Sequence, residues 1–168
     1  MNPVLPAWRR AGVLLPAVAA LSVGSVLAAL GTQHLLGMQP CAWCVLQRLI
    51  ALGVATTALL AWGAHAARLT ALRMVAAVAA ALLGLCGVAA ALWQHFVASS
   101  STSCAMSFAD RVMGFTGLDG RFPEVFAAYA SCADAKAWLL GVPYEFWSLA
   151  LFVACVLAAA LAVRPPRR

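Results

Sequence analysis

The chain has 168 residues, of which 65% are hydrophobic and only 10% charged, and its formal charge is +6. A soluble domain of this length leaves far more polar surface, so a soluble globular fold is excluded. The basic balance does not point to nucleic acid either, because no basic patch with interleaved aromatics is present.

Asp, Glu, Lys and Arg are absent from residues 11–47, 49–67, 74–109 and 146–163. Each run holds the roughly 20 apolar residues that cross a bilayer as a helix. Four spans are predicted, at about 12–31, 45–64, 73–95 and 145–163. The first follows Arg9 and Arg10 like a signal peptide, but its apolar run is longer than such a segment needs, and it is read as a retained helix. The expected fold is an all-α, four-helix membrane bundle, with residues 1–168 as a single membrane domain.

Charge gives the orientation. Arg9, Arg10, Arg68, Arg73, Arg164, Arg167 and Arg168 fall on one side of a four-span chain, which the positive-inside rule makes cytoplasmic together with both termini. Asp110, Asp119, Glu124, Asp134 and Glu145 fall on the other side. Two segments then face outward, a short loop at about 32–44 and a long one at about 96–144. In the long loop, Ser99 to Ser103 read as a flexible lead-in to Cys104. Phe122, Val125, Phe126 and Tyr129 recur at helical spacing, with Trp138 and Leu139 beyond them. This predicts a short amphipathic helix on the membrane surface or on the end of the bundle.

The chemistry lies in "PCAWCVLQR", residues 40 to 48. Cys41 and Cys44 have the spacing of a redox-active dithiol, and a bridge over two residues restrains too little chain to be a useful staple. Pro40 suits the first turn of a helix, which puts Cys44 early in span two, where free backbone N–H groups and the helix dipole favour an anion. Arg48, four residues on, shares its face and favours the same thiolate. As a charge inside a span, Arg48 is a functional candidate, with snorkelling to the headgroups as the alternative. Cys104 and Cys132 in the long loop are candidates for a second pair or a staple. No His stands at ligand spacing beside either pair, which disfavours zinc, and Val45 after Cys44 excludes covalent haem, so no metal site is expected. Cys86 and Cys155 read as small hydrophobes, and His34 and His65 as interfacial residues.

The ordered set resembles the bacterial disulfide bond formation protein B (DsbB) family. It comprises four spans, CxxC before span two with Gln47-Arg48 following, a separated cysteine pair in the long outer loop, and "GVPYEFWSLALF" at the start of span four. The resemblance implies an enzyme of the bacterial inner membrane. It would reoxidise a soluble periplasmic thioredoxin-like dithiol oxidase and pass the electrons to a membrane quinone, ubiquinone or menaquinone. By the same resemblance, the partner attacks a Cys104–Cys132 disulfide at Cys104. Cys132 then attacks Cys41 of a Cys41–Cys44 disulfide, Cys44 faces the quinone with Arg48 stabilising negative charge, and His95 contacts the quinone. Trp43, between the two cysteines, departs from the small or aliphatic residue often found there. The rival readings are a relative serving one dedicated exported enzyme, a non-catalytic membrane protein stapled by disulfides, and a vitamin K epoxide reductase-like protein. The last places its CxxC in the final part of the bundle.

Overall fold

The computed structural model describes residues 7–100 and 106–163. Cys104, the lead-in residues Ser101 to Ser103, and Arg164, Arg167 and Arg168 lie outside the described residues. Four long helices make up most of the rest: α1 (Ala7–Leu36), α2 (Ala42–Ala66), α3 (Thr70–Phe96) and, last in the chain, α7 (Tyr144–Val163). All four are long and apolar enough to cross a membrane. They are longer than the predicted spans, because polar residues such as Gln33 and His34 continue α1 beyond its apolar run. Gly37, at φ +67°, then stops α1, and the Met38 N–H closes back onto the Thr32 carbonyl.

The helices pack in a ring in which α1 meets α2, α2 meets α3, α3 meets α7, and α7 returns to α1. The inside of the ring is built from small residues. Ala51, Ala55, Ala58, Ala61 and Ala64 of α2 are buried at helical spacing, and so are Ala76, Ala77, Ala80, Gly84, Gly87, Ala90 and Ala91 of α3. Large residues such as Leu27, Leu60, Leu82 and Leu157 face outward. Lipid is as apolar as leucine, so helices in a bilayer gain by close backbone approach rather than by hiding large side chains. Phe152 of α7 is the largest of the fully buried side chains among the described residues, and it fills the room left by Gly87. Cys155 is also buried, with its sulfur 3.6 Å from the Ser22 hydroxyl, whereas Cys86 lies on the outer face.

The long loop differs from expectation. Its main helix is α4 (Phe108–Thr116), started by a capping box in which Ser107 and Asp110 each bond the other's backbone N–H. Two single turns follow, α5 (Leu118–Arg121) and α6 (Pro123–Phe126). The helix expected over 122–129 is therefore one turn, begun by Pro123 and extended at Ala127. Its apolar residues do not form a surface stripe. Phe126 points inward against Val45 and Met113, while Phe122 and Tyr129 are exposed. Trp138 and Leu139 form β1 (Trp138–Leu139) of a tight hairpin with β2 (Val142–Pro143), and the hairpin leads straight into α7.

Candidate active site

Helix α2 begins at Ala42 rather than at Pro40, so Cys41 is the N-cap and Cys44 the third helical residue. Side chains at the N-cap and the third position lie over the same first turn, which brings the sulfurs of Cys41 and Cys44 to 3.0 Å. Pro40, left outside the helix, has a free carbonyl, and it accepts hydrogen bonds from the Tyr129 N–H at 2.9 Å and the Ala130 N–H at 3.3 Å. This double bond pins the end of the long loop to the start of α2. Cys132, two residues further, thereby packs against fully buried Cys41. Three of the four outward cysteines predicted from sequence thus meet at one point, with Cys104 outside the described residues. Ala109 of α4 and the buried Trp43 close over them, and Trp43 stacks obliquely on Trp93 and Phe108 at 6.2 and 6.3 Å.

The cluster is polarised. The hydrogen-bonded contacts of Cys41 with Cys132 and Cys44, helped by burial, push its pKa far up and hold it as the thiol. The hydrogen bond from Cys41 lowers the Cys132 pKa against the opposing effect of burial, so of these two the loop cysteine is favoured as thiolate.

Cys44 faces the inside of the bundle. The Gln94 Nε2–H donates to its sulfur at 3.2 Å, and the Gln47 Nε2–H donates to Gln94 Oε1 at 2.6 Å. Both amides are buried. Arg48, only 7% exposed, does not snorkel. Its Nη1 donates to Gln33 Oε1 at 2.7 Å and to the Val125 carbonyl at 2.9 Å, and its Nη2 donates to the Ala29 carbonyl at 3.4 Å. Among the described residues, no carboxylate pairs with it. Its buried Nε has no hydrogen-bond partner. A buried guanidinium without a carboxylate is costly, and its three acceptors serve Nη1 and Nη2 but leave the Nε–H unmet.

Beside Cys44 and Arg48 lies a cavity of about 220 Å³. Val26, Ala29, Leu151 and Phe152 give it apolar walls, and Gln47, Gln94, Tyr144 and Glu145 add polar atoms. His95 is not on the wall. It stands one residue, or about 100° of helix, from Gln94, and its Nδ1 lies 2.7 Å from Glu145 Oε1. Glu145, which His95 meets, does line the cavity. His34 pairs loosely with Glu124 at 3.9 Å, and His65 packs beside Gly12 at the opposite end of the bundle.

The family model described as "Disulfide bond formation protein DsbB" matches residues 10–162. The chain belongs to the DsbB family. Among similar proteins, the disulfide bond formation protein B of Neisseria meningitidis serogroup C is 32% identical over 90% of this chain and 93% of its own length. Disulfide bond formation protein B 2 of Pseudomonas aeruginosa is 34% identical over 85% and 88%. The disulfide bond formation protein B of Escherichia coli O1:K1 / APEC is 33% identical over 92% and 85%. This DsbB-family chain is accordingly a multi-pass membrane oxidoreductase of disulfide bond formation.

Several residues of the site carry no signal in the sequence. Gln33, Gln94, Tyr144 and Glu145 come from three different helices, and each reads there as an ordinary interfacial polar residue. A glutamine at the end of an apolar run, facing a cysteine on the preceding helix, is recognisable only once the helices are rotated into place.

Proposed function

We propose that the chain acts as one membrane domain and a thiol:quinone oxidoreductase. It takes electrons from a soluble periplasmic thioredoxin-like dithiol oxidase and passes them to a membrane quinone. In this reading it sits in the bacterial inner membrane, with both termini cytoplasmic and both loops periplasmic. The observation that carries the proposal is the single cavity shared by Cys44 and the unpaired guanidinium of Arg48. The residues suit a quinone headgroup. An engineered cavity of about 150 Å³ holds benzene, so 220 Å³ admits one substituted ring. The apolar walls match its faces, and Arg48 supplies an orphaned donor for a carbonyl oxygen. When bound, the quinone provides the acceptor for the two electrons and two protons that a dithiol gives up on closing to a disulfide.

The remaining roles belong to the chain. Cys104 is the point of attack for the partner, and its bond with Cys132 is the disulfide that the partner reduces. Cys132, released as the favoured thiolate and already against Cys41, attacks the Cys41 sulfur of the Cys41–Cys44 disulfide. Cys44 leaves as an anion into the amide of Gln94 and the field of Arg48. A purely structural staple accounts for neither the buried guanidinium nor the amide on Cys44.

The test mixes the purified protein, ubiquinone-1 and a reduced thioredoxin-like periplasmic oxidase, and follows quinone absorbance. Stoichiometric quinone loss that disappears in Cys44→Ser is the expected result. No loss with folded protein and a competent donor would refute the reading.

A further inference from the structure

Resting on this acceptor reading, we propose that Glu145 and His95 form the proton relay of the cavity. Glu145 hands protons to the acceptor's oxygens, and His95 reloads Glu145 from water at the loop end of the bundle. The other polar groups around the cavity are unsuited to that task. Gln47 and Gln94 are amides and do not titrate, Arg48 stays charged, and Cys44 works as an anion. The Tyr144 hydroxyl is engaged with the Thr32 hydroxyl at 3.4 Å. Glu145 is the one carboxyl on the wall among the described residues.

The position of Glu145 suits a relay. Its side chain is 11% exposed, whereas that of His95 is 32% exposed, and 2.7 Å separates His95 Nδ1 from Glu145 Oε1. The pair thus runs from the buried cavity toward the surface of the bundle near its loop end. The Phe96 ring meets the imidazole edge-on at 4.8 Å and the Phe146 ring lies at 4.6 Å, which fixes the orientation of the imidazole. Among the described residues, no other ion pair reaches these two side chains: His34 of α1 is turned to Glu124, and the titratable or charged side chains that α2 presents to the cavity are Cys44 and Arg48.

The protons balance. A Glu145 carboxyl O–H gives its proton to an acceptor oxygen and becomes carboxylate. The His95 imidazolium returns a proton through Nδ1 and takes another from water through Nε2. Two such transfers accompany the two electrons from the thiols, whose own two protons leave at the sulfur cluster, so no net proton is consumed.

The experiment uses the full-length protein, pre-reduced and mixed with ubiquinone-1 in a single turnover across mildly acid to mildly alkaline pH. Glu145→Gln keeps the shape and a hydrogen bond but has no proton to give. It is expected to slow quinone reduction about 100-fold with half-saturation unchanged, and the residual rate should fall as pH rises. His95→Ala should be slow and restored by added imidazole, whereas Glu145→Gln should not be restored. In the quinone-free protein, Glu145→Gln should shift the ¹⁵N resonances of the His95 ring while leaving the backbone fingerprint in place. A clasp that merely joins α3 to α7 predicts no imidazole rescue and no altered pH profile, and that result would overturn the relay. Glu145→Gln at the wild-type rate throughout would do so as well. Failure of the wild type to reduce ubiquinone-1 is a different outcome, which removes the acceptor reading and the relay with it.

Discussion

At the scale of residues, the site works by giving three chemically identical thiols different surroundings. Cys41 is buried and hydrogen-bonded to two sulfurs, Cys44 has an amide and a guanidinium near it, and Cys132 sits half-buried at the loop end. The Cys132 thiolate is favoured chiefly by the hydrogen bond from Cys41. Removing that donor with Cys41→Ala should therefore raise the Cys132 pKa. Its alkylation by iodoacetamide should then need a higher pH to reach the same rate, because only the thiolate reacts. Peptide-resolved alkylation against pH measures this, and an unchanged profile would deny the hydrogen bond its role. CxxC was legible in the sequence because its spacing is local. The sharing of an N-cap and a third helical position, which puts the two sulfurs in contact, depended on where α2 starts.

At the scale of elements, the bundle depends on small residues where helices cross. A Cβ added at Gly87 falls on the Phe152 ring, which is 1% exposed and cannot swing into open space. Gly87→Val should therefore cost about 1–3 kcal/mol by overpacking, read as a lower unfolding temperature in detergent. Gly24, with nothing within 4 Å of an added Cβ, is the control and should tolerate alanine. The spans were legible because a helix in lipid must satisfy its own backbone and is apolar throughout. The loop was less so. Four apolar residues at helical spacing over 122–129 did not make a long helix, because Pro123 begins only a single turn and Phe126 finds its burial against α2. The capping box at Ser107 and Asp110 was the stronger local signal, and it starts the helix that covers the thiols.

At the scale of the whole molecule, the loop is tied to the bundle by Gln33, Pro40 and Arg48, the last of which also lines the candidate acceptor cavity. Gln33 Nε2 donates to the Glu124 carbonyl at 3.3 Å, Arg48 donates to the Val125 carbonyl, and Pro40 accepts from Tyr129 and Ala130. Arg48 thus has one side on the cavity and another on the strand of chain that carries Cys132. Arg48→Ala should therefore loosen this strap as well as empty the charged side of the cavity. Amide exchange at Tyr129 and Ala130 should quicken about tenfold, in keeping with the loss of a charge-assisted hydrogen bond. Exchange at the wild-type rate would show that the Pro40 bonds hold the segment unaided.

The sequence by itself determined the four helices and the class of protein, and it singled out the cysteines proposed to react. These are local or compositional properties: apolar runs of bilayer length, a two-residue spacing, a charge where none is expected. Only the tertiary structure decided which polar side chains face Cys44 and Arg48. One residue along a helix turns a side chain by about 100°, so Gln94 reaches the sulfur while His95 reaches Glu145. That rotation is set by how alanines, glycines and Phe152 let the helices approach, and those contacts join residues far apart in the chain.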